Sequence, residues 1–320
     1  MGTNRFVGLV VFVILCGAGL LLYVLFSRSG ERATLKPETL VNPVAGLVAN
    51  HNLALGERIA LQDKLEDMGE TALLHDELTN FGIYYRELIS GPVITIRQNE
   101  GFFPASLLKI PVVLWYYKKA ESEPGLLDAE VDYVGPPGTS IVHFPPKETL
   151  VPGTRYSLRE LLRFMLAESD NEATNILIEY AGGREAVNAV YADLGFMEVD
   201  DYNHYVIDTQ TYVAFFRVLF NAEYLSETAS EEVLNMLASS SFTEGLVAGV
   251  PGTVVVAHKF GERTIDGSEE RLQLHDCGII YVPENPYMLC VMTQGHNYEV
   301  MAQFIADVSR SIYEAAAVAP

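Results

Sequence analysis

The first constraint on this chain is an uncharged apolar run near its N-terminus. The stretch FVGLVVFVILCGAGLLLYVLF, residues 6–26, has 21 residues without a charge, enough to cross a hydrocarbon core of about 30 Å as a helix. A cleaved signal peptide has a shorter apolar region and ends at small residues, whereas this run ends in SRSGERATL. We therefore predict that residues 1–27 form an uncleaved transmembrane signal anchor with residues 6–26 as its span.

The charges around the span leave its orientation open. Arg5 precedes the run, while Arg28, Arg32 and Lys36 follow it. Positive residues collect on the cytoplasmic side of membrane helices. This distribution is therefore neutral, or mildly against a domain that faces outward.

The composition of the whole chain narrows the class of partner. Hydrophobic residues make up 49% and charged residues 20% of the 320 positions, and the net charge is -21. The first two values are typical of a globular protein with a large core. The charge argues against a nucleic-acid partner, because a phosphate backbone requires a basic surface. An anionic small molecule is compatible with it, since a few lysines create a local positive site.

The order of the periodic segments predicts the fold. Residues 28–50 show no clear periodicity and are interpreted as a linker, and residues 51–320 as one domain. In that domain two strand patterns (FGIYYREL, VITIRQ) precede a helical block at about 120–245, followed by three strand patterns (GTVVVAHKFG, LHDCGIIYVP, PYMLCVMTQG) and a helix. This order predicts an α+β fold: a five-stranded antiparallel sheet flanked by helices, with an all-helical subdomain inserted after the second strand.

Two cysteines fall on the last two strand patterns. Cys277 and Cys290 flank the turn PENP, which predicts a hairpin. Pairing Val282 with Tyr287 places Cys290 opposite Ile279, so a disulfide requires a shift of register. Whether the two cysteines are bonded stays open at this level.

The stretch GFFPASLLKIPVV places Ser106 three residues before Lys109. A hydroxyl is a poor nucleophile until a base removes its proton, and a helical step of three puts both side chains on one face. Lysine serves as that base only when its surroundings lower its pKa. Taken alone, the stretch is better explained by an N-capping serine and a solvated lysine.

Two further polar groups lie where elements end. Ser169, Asp170 and Asn171 separate two helical patterns, and Lys259 ends an apolar strand pattern. Helix capping explains the first group and a lysine stem that reaches water explains the second. The functional alternative makes Ser169 a proton relay, gives Asn171 an amide for a substrate or the lysine, and lets Lys259 bind a carboxylate.

The three signals together are specific. In their order along the chain, S-x-x-K, S-D-N and K-F-G resemble the S-x-x-K, S-D-N and K-T-G set of class A β-lactamases and penicillin-binding proteins. The likeness extends over most of residues 55–315 and is nearest to the class A-like branch. It implies a serine acyl-enzyme hydrolase that uses no cofactor and no metal, acting on a small-molecule β-lactam or a peptidoglycan stem peptide.

The resemblance also implies a role for each residue. Ser106 attacks the carbonyl, Lys109 takes its proton, and Ser169 delivers a proton to the leaving nitrogen. Lys259 holds the substrate carboxylate, and the oxyanion hole uses the backbone N–H groups of Ser106 and Glu262. The implied residues are Ser106, Lys109 and Ser169 for catalysis, and Asn171, Lys259, Gly261 and Glu262 for substrate binding.

The sequence departs from the family pattern at two places. Phe260 stands where K-[TS]-G has a hydroxyl that helps to bind the substrate carboxylate. The segment LGFMEVDDYNHYVIDTQT lacks the E-x-x-L-N glutamate that activates the deacylating water in class A enzymes. Other acids of this segment are candidates, and their spacing selects none of them: Glu198, Asp200, Asp201 and Asp208.

Three functions therefore remain open. A β-lactamase is favoured by the class A-like segments, and a membrane-anchored D-Ala-D-Ala peptidase or transpeptidase with slow deacylation by the missing glutamate and the anchor. A catalytically weak cell-wall-binding protein is favoured by Phe260, although retention of a serine with its paired base argues against it. The substrates lie outside the cytoplasm, so we expect the domain on the extracytoplasmic side of the cell membrane. The sequence leaves the oligomeric state open.

Overall fold

A computed structural model describes residues 37, 39–43, 53–89, 91, 93–135, 142–196, 204–265 and 268–318. The predicted span at 6–26 and most of the predicted linker lie outside these residues. Among the helices described, none has the length and apolarity needed to cross a bilayer.

The main sheet has five strands, and every neighbouring pair is antiparallel, in the order β2-β1-β7-β6-β5. This confirms the predicted five-stranded antiparallel sheet of an α+β fold. Two short strands, β3 and β4, form a separate pair. The strands are β1 (Asn80–Glu87), β2 (Val93–Ile96), β3 (Glu130–Asp132), β4 (Arg155–Ser157), β5 (Val255–Ile265), β6 (Ser268–Tyr281) and β7 (Tyr287–Gly295).

Helices cover both faces of the sheet, with one apolar core on each face. The first and last helices pack on one face. The helical spacing of Met301, Phe304, Ile305, Val308 and Ile312 in the sequence predicts one apolar face for the last helix, and these residues are buried there. Helices between β2 and β5 contribute the core on the other face. The helices are α1 (Leu55–Leu74), α2 (Lys109–Ala120), α3 (Leu158–Ala167), α4 (Asn171–Tyr180), α5 (Arg184–Asp193), α6 (Thr209–Phe220), α7 (Glu227–Ala238) and α8 (Tyr298–Val318).

The insertion between β2 and β5 is not all-helical, which corrects the prediction. Strands β3 and β4 pair within it, and the Arg155 guanidinium joins them through Asp132 at 2.8 Å and Glu130 at 3.3 Å. Strands of three residues are too short to show a period of two. The Gly- and Pro-rich composition around them therefore indicated only a loop.

The predicted register of the last hairpin is wrong by two residues. Ile280, not Val282, lies opposite Tyr287, so Cys277 pairs directly with Cys290 and the two form a disulfide. The turn is longer than PENP alone. The Asn285 N–H donates to the Val282 carbonyl, and Glu284 adopts a φ of 62°.

Residues 39–43 of the predicted linker are attached to the domain. One carboxylate oxygen of Glu231 on α7 accepts from the backbone N–H groups of Leu40 and Val41 at 2.6 and 2.9 Å. The Tyr281 hydroxyl donates to the Leu40 carbonyl at 2.9 Å, and the Leu40 side chain is fully buried. The chain therefore enters the fold across α7 and the end of β6, on the side of the sheet that carries the insertion.

Candidate active site

Ser106 lies in a tight turn between the sheet and helix α2. Residues Ala105–Leu108 form a 3₁₀ turn that runs directly into α2 at Lys109. Side chains three apart align in a 3₁₀ turn, so Lys109 follows Ser106 on one side, as predicted. Ala105 has a φ of 51°, a left-handed conformation that non-glycine residues seldom adopt and that is found at functional sites.

Lys109 is buried, not solvated. Its Nζ donates to the Ser169 carbonyl at 2.5 Å, to Asn171 Oδ1 at 2.8 Å and to Ser169 Oγ at 3.2 Å. Burial lowers the pKa of Lys109 to about 7, against the opposing effect of the negative charges of Asp170 and Glu262. A large fraction of Lys109 is therefore neutral near pH 7, as a general base requires.

The S-D-N motif forms the turn between α3 and α4. Asp170 caps α4, because its Oδ1 accepts from the Ala173 N–H at 2.7 Å. Ser169 adopts a φ of 54°, and its Oγ accepts from Lys259 Nζ at 2.8 Å. Both interpretations of this motif therefore apply: Asp170 caps the helix, and Ser169 connects Lys109 with Lys259.

Lys259 on β5 is fully buried. Its Nζ donates to Ser169 Oγ and, at 2.9 Å, to its neighbour's carbonyl at Phe260. Burial, and then the nearby Lys109, hold the pKa of Lys259 well below its usual value, while Asp276 and Glu262 oppose that shift. Lys109, Ser169 and Lys259 therefore form one hydrogen-bonded network along which a proton can move.

Gly261 lets the backbone of β5 pass close to the nucleophile. A Cβ at this position would lie 2.9 Å from the Pro104 carbonyl oxygen and 3.2 Å from the Ser106 nitrogen. A side chain would push the strand away, so glycine is needed for this approach. The structure thus brings the backbone of residues 261 and 262 beside the Ser106 N–H, the place predicted for an oxyanion hole.

The departure at Phe260 has a clear structural counterpart. The ring is buried, its centroid lies 4.4 Å from Lys259 Nζ, and it stacks on Phe242 with centroids 4.2 Å apart. The Phe144 ring meets Phe260 edge-on at 6.4 Å. The position therefore carries an aromatic contact in place of the missing hydroxyl.

Two carboxylate side chains that hold the site, and the stretch 142–148 that they bind, were missed in the sequence. The Glu262 side chain, expected only for its N–H, accepts from the backbone N–H groups of His143 and Phe144 at 3.1 and 3.3 Å. Glu168 accepts from Lys147 N–H at 2.9 Å. Bonds from a side chain to a loop far along the chain leave no local signal, and the Pro-rich stretch 142–148 indicated only a loop.

The residue that activates the deacylating water stays a prediction. Asp208 caps α6, since its two carboxylate oxygens accept from the N–H and the hydroxyl of Thr211, each at 2.8 Å. The other candidates, Glu198, Asp200 and Asp201, lie outside the described residues.

Ser106 and Lys109 line a cavity of about 350 Å³ that continues along α4 and α5. A narrower cavity of about 60 Å³ adjoins Ser106, Ser169 and Phe260. All seven predicted site residues meet in this region. The arrangement can supply a serine nucleophile, a neutral lysine, a shared hydroxyl relay and converging backbone donors.

Comparison with known proteins points to one family. Residues 61–316 match the model of the β-lactamase enzyme family. The chain is 26% identical to a β-lactamase of Bacteroides uniformis, over 70% of this chain and 82% of that one. It is 29% identical to β-lactamase CTX-M-97 of Escherichia coli, over 70% and 77% of the two chains.

Solved structures share the fold at lower identity. PBP-A superposes with a TM-score of 0.66 at 20% identity, covering 84% of this chain and 98% of that one. A class A β-lactamase from Mycobacterium abscessus gives a TM-score of 0.66 at 23% identity, covering 80% and 98%. These structures agree with the sheet and helix arrangement described above.

The close approach at Gly261 predicts the effect of a single methyl group. We expect Gly261→Ala to slow acylation of Ser106 about 10²-fold, the typical cost of misplacing one oxyanion donor. Gly252→Ala is the matched control, because apart from its chain neighbours nothing lies within 4 Å of a Cβ built there. The measurement is the rate of covalent labelling by a penicillin in both variants. Equal rates for Gly261→Ala and the parent protein would contradict the proposed close packing.

Proposed function

Because this chain belongs to the β-lactamase enzyme family, we propose that it opens β-lactam amide bonds through an acyl-enzyme on Ser106. The chain is a serine hydrolase, and the observation that carries the assignment of residues is the Lys109–Ser169–Lys259 network beside Ser106. A serine, a buried lysine of lowered pKa and a relay hydroxyl are what nucleophilic catalysis requires. The roles of the individual residues below are part of this proposal.

During acylation, protons move through the network from Ser106 to Lys109 and then to Ser169. The Ser106 oxygen bonds to the β-lactam carbonyl carbon while its proton passes to neutral Lys109. The resulting oxyanion accepts from the backbone N–H groups of Ser106 and Glu262. The carbon–nitrogen bond then breaks, the nitrogen takes the proton of the Ser169 hydroxyl, and Lys109 returns its proton to Ser169 through their hydrogen bond.

Asn171 and Lys259 have supporting roles. Asn171 Oδ1 accepts from Lys109 at 2.8 Å, so it orients the base, and its amide faces the cavity that Ser106 lines. Lys259 is fully buried and holds Ser169 Oγ in place. Gly261 keeps β5 close enough for the oxyanion hole.

Deacylation decides between the two enzymatic alternatives. Water adds to the ester carbon, the Ser106 oxygen leaves with a proton, and the ring-opened acid is released. A penicillin-binding type of reaction would stop before this step. Within this chain the alternative is favoured by the lack of E-x-x-L-N in the segment before α6.

The position of the domain follows from the chemistry of its substrates. We propose that residues 6–26 anchor the chain and that the domain lies on the extracytoplasmic side, supported by the uncharged run. Protease added to intact cells should then remove the domain. Full protection, with digestion only after lysis, would contradict this orientation.

The function predicts a time course in intact mass. The protein is incubated with a penicillin, and we expect the mass to rise by that of the penicillin and then to return. Ser106→Ala should show no gain in mass, and Ser122→Ala, at an exposed serine near the end of α2, is the control that should label like the parent.

The outcomes separate the alternatives. Rapid gain and loss indicates a β-lactamase, and a label that persists indicates a penicillin-binding type of reaction. Labelling that survives Ser106→Ala, or no labelling of the parent protein, would overturn the assignment of Ser106.

A further inference from the structure

Residues 142–148, with the sequence VHFPPKE, form one wall of the active-site cleft. Three of their side chains line the narrow cavity of about 60 Å³ together with Ser106 and Ser169. We call this segment the cleft wall. It lies on the side of the site where Phe260 replaces the hydroxyl of the family pattern.

Glu262 fixes one end of the cleft wall. Its carboxylate accepts from the His143 N–H at 3.1 Å and from the Phe144 N–H at 3.3 Å. Two adjacent backbone donors that share one carboxylate hold this end of the segment against β5. Glu262 immediately follows the K-F-G motif. The hydrogen bonds that hold this end of the cleft wall therefore come from β5, the strand that supplies the oxyanion hole.

Glu168 fixes the other end. Its Oε2 accepts from the backbone N–H groups of Lys147 and Glu148 at 2.9 and 3.3 Å. The side chain is buried, and Glu168 immediately precedes the S-D-N motif. Both ends of the cleft wall are therefore held by carboxylates that adjoin catalytic motifs.

An aromatic cluster anchors the middle of the wall. The Phe144 ring packs edge-on against Phe242 at 4.9 Å, Tyr298 at 6.1 Å and Phe260 at 6.4 Å. Such contacts stabilise a loop beyond the burial of its apolar area. Phe260, which stands where the family pattern has a carboxylate-binding hydroxyl, thus also helps to hold the cleft wall in place.

The charge in the narrow cavity opposes an anionic ligand. Glu262, Glu168 and Asp170 all line it, and the nearby Lys109 and Lys259 are buried with pKa values below their usual range. Burial raises the pKa of Glu262, while its two backbone donors favour the ionised form. A substrate carboxylate entering here meets fixed acids, a narrow space and no hydroxyl at position 260.

We propose that Glu262 determines specificity, with Glu168 and Phe260 as positioning residues, so that this enzyme favours acyl donors whose ring substituent at the cleft wall is neutral over those that carry a carboxylate there. The inference rests on the proposed acylation of Ser106. Phe260 and Glu262 both contact the cleft wall, through the Phe144 ring and the His143 N–H.

A matched pair of substrates tests the proposal. The full-length protein in detergent is acylated by a chromogenic cephalosporin with its free ring carboxylate and by the methyl ester of the same compound. We expect the ester to react faster than the acid. Glu262→Gln removes the charge and keeps one acceptor oxygen for the wall, so it should lower the ester-to-acid ratio of kcat/KM about tenfold.

The control is Glu299→Gln, because Glu299 pairs with the His143 side chain at 2.9 Å but touches no backbone group of the wall. It should leave the ratio unchanged. A parent protein that prefers the acid, or a Glu262→Gln ratio equal to that of the parent, would overturn the proposal. A ratio shifted equally by Glu299→Gln would also overturn it, since general surface charge would then be the cause.

Binding without chemistry separates this proposal from the one on which it rests. Ser106→Ala cannot be acylated, so the affinities of the intact acid and ester for Ser106→Ala and for Ser106→Ala with Glu262→Gln report specificity alone. Weaker binding of the acid, relieved by Glu262→Gln, supports the proposal even if the parent protein is never acylated. Equal affinities in both proteins contradict it, whatever the outcome of acylation.

Discussion

The hydrogen bonds of Lys109 Nζ to the Ser169 carbonyl and Asn171 Oδ1 are the interactions on which the rest of the site depends. They join α2, which carries the lysine, to the turn between α3 and α4. Ser169 in turn holds Lys259 on β5, so the sheet and the insertion meet at one hydroxyl. A buried amine needs such partners, because a buried polar group without them is costly. Burial also lowers the pKa of Lys109 into the range of a general base.

Much of the fold follows from local pattern, and much of the site from the order of motifs. The apolar stripe of α8 and the order of the strand patterns predicted the sheet and its covering helix. Ser106, Ser169 and Lys259 each had an ordinary local explanation, and only their joint order indicated chemistry. The pairing of β3 with β4 and the register of Cys277 against Cys290 were not predictable, since short strands and turn length carry little signal. The hydrogen bonds from Glu168 and Glu262 to the cleft wall were also not predictable, because they join positions distant in sequence.

Phe260 shows how a departure from a motif is better understood in three dimensions. In the sequence it counts only as a lost hydroxyl and favours a protein without catalysis. In the structure its ring stacks on Phe242 and meets Phe144, a residue of the cleft wall. The network of Lys109, Ser169 and Lys259 is intact directly beside it, with Lys259 Nζ 4.4 Å from the centroid of the ring. The substitution therefore changes the shape of the cleft and leaves the groups for acylation in place.

The central claim is that buried Lys109, and not a solvated lysine, accepts the proton of Ser106. The most direct measurement is the rate constant for acylation of Ser106 by a penicillin as a function of pH, followed by intact mass. Because neutral Lys109 is the active form, the rate should rise through a midpoint at about pH 7 and level off above it. Asp170, Glu262 and Lys259 also face this network, and Lys109→Met should remove the rise without unfolding the protein. A rate that is unchanged across pH 5–9, or that still climbs toward the ordinary lysine value of 10.5, would contradict the account.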